Sequence, residues 1–350
     1  MTHVDGTRIT VRSAADLLAA VPYLIGFHPV DSLVAVGTDR GILAFAARVD
    51  LPPAGAGPIA VGTVARYLAA VIARQRVGAV TLVGYGSPDR VDGPLRGTAD
   101  ALAADRHTVY DLLRVTDGRY WSYICDNPSC CPPEGTPFDV STSPVAATFA
   151  FAGDVALPDR EALVRRLAPV GGLTRISMRQ ATVRAEAQVL ALLESATAGL
   201  EAAALAAAGE AAVRSAITRC RAGDRLSDDE VAWLTMLLAT VRVRDIAWQS
   251  IDEPGSHMAL WTEVVRRAEP DLVAGPASLL AFAAWRAGQG ALAAVAVDRA
   301  LRADPGYALA LLIDEALRNA LPPSTVDGWP DLSRTGRRRS SGGRKRARKR

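Results

Sequence analysis

Cys125, Cys130 and Cys131 place three of the chain's four cysteines within seven positions. They lie in the segment Trp121-Ser122-Tyr123-Ile124-Cys125-Asp126-Asn127-Pro128-Ser129-Cys130-Cys131-Pro132-Pro133-Glu134-Gly135-Thr136-Pro137. Thiolates gathered on a turn suit zinc, which takes three or four nitrogen or sulfur ligands at about 2.3 Å for sulfur. The spacing, four residues and then an adjacent pair, is not a standard zinc-knuckle pattern, and neighbouring cysteines have difficulty aiming both sulfurs at one tetrahedral ion. A fourth ligand would come from His107, His28, Cys220 or a carboxylate. A second chemistry is redox pairing of Cys125 with Cys130 or Cys131. A third reading is architectural: a proline-walled loop whose cysteines act as small apolar groups. From sequence alone all three stay open.

Gly26-Phe27-His28-Pro29-Val30-Asp31-Ser32 holds a histidine, an aspartate and a serine. Five consecutive residues cannot wrap into a Ser–His–Asp geometry, whose members come from separated segments. His28 could act as a general base oriented by Asp31, with Ser32 and Glu134 as further candidates, if the fold brought the cysteine loop alongside. The plainer reading has His28 and Asp31 satisfying a turn and Ser32 opening a strand. Gly55-Ala56-Gly57-Pro58 is a loose dinucleotide fingerprint, but the strand that follows ends without the acidic residue a ribose requires. Asp228-Asp229-Glu230 reads as first-turn carboxylates behind the N-cap Ser227 rather than as a cluster.

Composition narrows the classes. The chain has 350 residues, 49% hydrophobic and 22% charged, values of a soluble globular protein with length for two domains. Four cysteines are too few for a disulfide scaffold, and no apolar run approaches the roughly 18 residues of a membrane span, so a reducing cytoplasmic location is expected. Lys345 and Lys349 are the only lysines, which removes Schiff-base, pyridoxal and Walker-type chemistry from the body. The net charge of +3 hides a split. Arg334, Arg337, Arg338, Arg339, Arg344, Lys345, Arg346, Arg348, Lys349 and Arg350 supply ten of the 40 basic residues, leaving 30 against 37 acidic ones elsewhere. Such a tail contacts nucleic acid or another polyanion through counterion release, without aromatic residues to read bases.

The elements that must position these groups follow from periodicity. Ser13 and Asp16 begin a helix, Ser32–Thr38 and Ile42–Val49 read as a hairpin, and Pro58 opens a helix running to about Arg76. Ala79–Val83, Thr108–Val115 and Arg119–Ile124 read as strands, with a helix near 94–105. Beyond Pro158 the pattern turns helical: Arg160–Leu167, Arg175–Ala196, Leu200–Arg221, Ser227–Val241, Ser256–Arg267, Pro276–Ala287 and Ala291–Ala303. Val241–Trp248 reads as a helix end whose Arg244 and Asp245 pair with neighbours. The predicted fold is an α/β (or α+β) N-terminal sheet domain over 1–155 and an all-α helical domain over 156–321. A disordered linker and Arg/Lys-rich tail fill 322–350. The final helix pair, with Ala281, Trp285, Gly288, Ala293, Val297, Ala300 and Asp304-Pro305, resembles one tetratricopeptide hairpin.

Arg12-Ser13-Ala14-Ala15-Asp16-Leu17-Leu18, Gly26-Phe27-His28-Pro29 with Asp31-Ser32-Leu33-Val34, and Cys130-Cys131-Pro132-Pro133-Glu134-Gly135 together resemble an actinobacterial family known as domain of unknown function 4192. Val243-Arg244-Asp245 with Trp248, and Leu280–Tyr307, extend the resemblance over about residues 8–320. It implies a bacterial intracellular protein and carries no activity, cofactor or catalytic residue with it. The expected function is therefore a non-catalytic cytoplasmic binding or regulatory protein, with a polyanion-contacting tail and a protein partner for the helical domain. The alternative is a metal-dependent or thiol-based enzyme or redox switch that joins the Cys125–Glu134 loop to His28 and Asp31.

Overall fold

Short apolar runs separated by turn residues build the N-terminal half around one sheet. The computed structural model describes residues 11–326, apart from residues 40, 41, 76 and 253. The basic segment 334–350 and its cationic residues lie outside the described residues. Helix α1 (Ala14–Ile25) starts where Ser13 Oγ accepts the Asp16 N–H, and ends at Gly26 in the left-handed region. The reciprocal arm of this cap falls on Arg12, whose N–H donates to Asp16 Oδ2 at 3.0 Å.

Strands β1 (Ser32–Asp39), β2 (Ile42–Asp50), β3 (Ala79–Tyr85), β4 (Val109–Thr116), β5 (Arg119–Ser122) and β6 (Thr136–Pro137) form a six-stranded sheet in the order β2-β1-β3-β4-β5-β6. Only the β3–β4 pair is parallel. Helix α3 (Pro88–Ala104) makes that crossover, and α2 (Pro58–Ala73) packs beside it. Leu33, Ala35, Val80, Leu82 and Leu112 point toward Leu68, Ile72, Leu95 and Leu102 of these helices. Val34, Val36, Val83, Tyr85, Leu113 and Val115 fill the other face with α1. Burial on both faces explains why β1 and β3 are continuous apolar runs rather than alternating ones.

After α4 (Pro144–Phe151) and α5 (Arg160–Arg166) the chain is helical: α6 (Gly172–Ser195), α7 (Glu201–Arg221), α8 (Asp228–Leu238), α9 (Val241–Gln249), α10 (Pro254–Arg267), α11 (Ala274–Arg286), α12 (Gly290–Ala303) and α13 (Ala308–Arg318). An α/β sheet half followed by helices is the architecture expected from the sequence. Val241–Gln249 is a helix of its own rather than the end of α8, because Thr240 is extended and interrupts the run. Buried Ala281, Ala284, Ala293, Ala296 and Ala300 let α11 and α12 pack closely, with Trp285 Nε1–H capping the Leu321 carbonyl at 3.1 Å. One cluster of buried side chains runs from α1 and the sheet face into these helices. A further tie is Gln75 Nε2 to the Ala320 carbonyl. No helix among the described residues is long and apolar enough to cross a membrane.

Candidate metal centre

The cysteine loop leaves β5 at Ser122 and returns as β6. Its first turn is set by Ser122 Oγ, which donates to Asp111 Oδ1 on the neighbouring strand at 2.7 Å and accepts the Cys125 N–H at 3.1 Å. Asn127 sets the second turn. Its carbonyl accepts the N–H groups of both Cys130 (3.2 Å) and Cys131 (2.8 Å), while its side chain accepts the Ser129 N–H. On the return, Thr136 Oγ1 donates to the Cys130 carbonyl, and Arg119 Nη1 to the Gly135 carbonyl at 2.8 Å. Trp121 underpins the loop, with the Arg114 guanidinium 3.7 Å above its ring.

This bracing brings the three sulfurs together. Cys125 Sγ lies 3.2 Å from Cys130 Sγ, which lies 3.8 Å from Cys131 Sγ, and all three fall within 4.8 Å of one another. Sulfurs bound at about 2.3 Å around a tetrahedral ion stand about 3.8 Å apart. The set fits zinc once Cys125 and Cys130 open by roughly half an ångström. Adjacent cysteines do aim at a common point here, contrary to the sequence expectation. With both amides bound to one carbonyl, the backbone between them turns sharply and the two side chains share a side. Cys130 is exposed, and Cys125 and Cys131 are half-buried, so the cluster is open to solvent.

The three thiols are electrostatically distinct. Hydrogen bonds from the Cys131 thiol, from the Asn127 backbone and from Cys130 hold the Cys125 thiol below its ordinary value. Cys131, hydrogen-bonded to Cys125, is pushed up to about 12, and Cys130 is raised for the same reason. Cys125 is thus the most readily ionised of the three thiols. Metal entry would displace the thiol protons.

The other sequence candidates lie elsewhere. No histidine or carboxylate among the described residues joins the sulfurs within that radius. His107 sits on the α3–β4 connection, bonded through its backbone to Leu102. Cys220 is on α7, with its thiol toward the Ser256 carbonyl at 3.6 Å. Glu134 is exposed on the loop, and its carbonyl rather than its carboxylate meets Arg119. His28, Asp31 and Ser32 are at the start of β1, three strands from β5 and so roughly 14 Å away across the sheet. The His28 backbone bonds Leu157, and Asp31 Oδ1 is 3.9 Å from Arg90. Ser32 is fully buried, donates to the Val30 carbonyl and accepts from Arg48 Nε at 2.9 Å. A hydroxyl so engaged braces the turn. The acidic run is fully spent on its helix and its neighbours: Ser227 and Glu230 form a reciprocal cap, and Asp228, Asp229 and Glu230 pair with Arg267, Arg184 and Arg219. Arg244 pairs with the adjacent Asp245 and lies over Tyr307.

Sequence reasoning found the three cysteines but not the groups that converge them, Asp111, Ser122, Asn127 and Trp121. The Asn-Pro-Ser turn beside Ser122 was their one local trace. A family model described as a domain of unknown function (DUF4192) matches residues 15–324. No curated protein and no solved structure matches the chain.

Proposed function

The chain belongs to the DUF4192 family, and from that premise we propose that it is a non-catalytic binding and regulatory protein whose sensing element is the three-cysteine loop. Cys125, Cys130 and Cys131 supply three sulfur ligands to a thiophilic divalent cation, zinc in the first instance. The fourth position is left to water or to a partner's side chain. The observation that carries this reading is the convergence of three sulfurs within 4.8 Å on a loop braced by Ser122 and Arg119 of β5, with Asp111 of β4 behind Ser122. Four free cysteines suit a reducing, cytoplasmic compartment. The test is metal analysis of full-length protein purified under reducing conditions, followed by cobalt substitution. About one zinc per chain is expected, with a thiolate-to-cobalt absorption band, both lost in Cys130→Ser and Cys131→Ser and kept in Cys220→Ser. Protein that takes up neither ion overturns the assignment.

The 3.2 Å approach of Cys125 to Cys130 favours a second reading, a peroxide-responsive disulfide. The Cys125 thiolate attacks hydrogen peroxide, giving a sulfenic acid and hydroxide; the Cys130 thiol then forms the S–S bond with release of water. Peptide mapping should show the Cys125–Cys130 link with loss of two hydrogens, reversed by a dithiol, and zinc should protect against it. Unlinked cysteines after peroxide treatment would remove this reading.

The ten cations of residues 334–350 support polyanion contact by the same protein. Nucleic-acid affinity should fall steeply with salt and vanish when that segment is removed. Salt-insensitive binding that survives truncation would place the interface elsewhere.

A further inference from the structure

The longest helix, α6, leaves one face without a partner. Leu173, Ile176, Gln180, Val183, Ala187 and Leu190 follow one another at steps of three, four, three, four and three residues. That is the alternation of core positions in a coiled coil. All six are exposed, and the four large apolar ones strongly so: Leu173 84%, Ile176 53%, Val183 64% and Leu190 61%. The opposite face, with Met178, Ala181, Thr182 and Ala185, is already buried against the rest of the protein. The stripe is therefore a second, independent apolar seam, about 27 Å long at 1.5 Å per residue.

We propose that this seam pairs with the same seam of a second copy of the chain, antiparallel, to form a homodimer. The charges beside the stripe select the occupant and the direction. Arg179 and Glu186 flank it on one side, are exposed, and have no ion-pair partner among the described residues. In an antiparallel pair, positions of this kind face one another across the seam. Arg179 of each copy then meets Glu186 of the other, giving two ion pairs. A parallel pair would instead set Arg179 against Arg184 and lose both. The same antiparallel register places Leu173 opposite Leu190, Ile176 opposite Ala187, and Gln180 opposite Val183. The end layers pair leucine with leucine, Ile176 meets the small Ala187, and each layer occurs twice by symmetry. Such a contact is isologous, so it closes at two copies and does not propagate. One helical seam is smaller than a standard protein interface, so the dimer is concentration-dependent.

Sedimentation velocity on the full-length protein, from about 1 μM to about 100 μM, reads the assembly directly. The mass should rise toward two chains across that range. Arg179→Glu and Glu186→Arg should each hold the protein monomeric, because each sets two like-charge contacts across the seam. The double swap R179E/E186R should restore the dimer with the charges exchanged. Val183→Glu should abolish it. All three positions are exposed, so circular dichroism should show unchanged folding. A monomer throughout the range, a dimer indifferent to Val183→Glu, or a double swap that fails to rescue each overturns the proposal. A spin label at residue 183 of such a monomer that is immobile until residues 327–350 are removed would show that the chain's own terminus covers the seam instead.

Discussion

The Trp121 indole N–H donates to the Pro133 carbonyl at 2.9 Å, tying the sheet to the far limb of the cysteine loop. Two residues on, Gly135 rests on the same indole. Its φ of +82° is in the left-handed region, and a Cβ added there would come within 2.5 Å of the ring. The loop thus reaches its shape only with an indole at 121 and no side chain at 135.

Gly135→Ala should accordingly damage the cysteine site more than the fold. The new methyl group must push Trp121 or the loop outward, displacing the turn that carries Cys130 and Cys131. Zinc affinity, measured by competition with a chelator, should weaken about 10–100-fold, the usual effect of a disturbed outer shell. Global unfolding should change by only about 1–2 kcal/mol. Unchanged zinc affinity would mean that the loop is not held through this contact.

Arg267 offers a test of how the helical half is joined. Its side chain is 3% exposed and donates to the Leu226 carbonyl at 2.7 Å, to Glu263 at 2.9 Å and to Asp228. It fastens α10 to the start of α8. Arg267→Met keeps much of the volume but leaves the buried Leu226 carbonyl without this donor and takes one donor from each of two half-buried carboxylates. Chemical denaturation should show a loss of about 2–3 kcal/mol. Arg225→Met, which removes an exposed contact to the same Glu263, should cost less than about 1 kcal/mol.

Asp228 should give a signature in pH. A hydrogen bond from Ser177, and then the Arg267 guanidinium, hold its carboxyl below the usual range. A group depressed in the fold contributes stability that is complete above its unfolded value, about 3.9, and lost as pH falls through the folded value. The melting-temperature gap between wild type and Asp228→Asn should therefore be constant from about pH 7 to about pH 5 and close below about pH 4. A gap that widens in acid would show the sign to be wrong. Glu230, held low by the Ser227 backbone and side chain and by Arg219, should behave the same way.

Much of this arrangement can be read in the chain because local and tertiary demands agree. Ser227 and Glu230 cap α8 by residues three apart, and β1 and β3 announce two-sided burial by their unbroken apolar runs. What escapes the sequence depends on contacts from far along it. Helix α4 has no periodicity of its own and is held by Phe149 stacking on Tyr23 at 4.9 Å. The break between α8 and α9 has no glycine or proline to mark it. At the cysteine loop the residue types and turn formers are visible, but the convergence requires Asp111 to lie beside Ser122. That adjacency comes from the register of β4 against β5, with Leu113 opposite Ser122.

The crossing of α7 and α9 supports a closing prediction in which packing alone is at issue. Gly209 on α7 faces Val243 on α9, and a Cβ at 209 would fall 2.2 Å from Val243 Cγ2 and 2.5 Å from its Cγ1. Val243 is fully buried and has nowhere to turn. Gly209→Ala should thus destabilise by about 1–3 kcal/mol, despite alanine's better helix propensity. Val243→Ala alone should also destabilise, through the cavity it leaves. Combined, the added methyl group fills part of that cavity, so the double variant should be more stable than the sum of the two losses by at least about 1 kcal/mol. Denaturant unfolding of the four proteins measures that coupling. Strict additivity would mean that the two helices move apart rather than interlock at this pair.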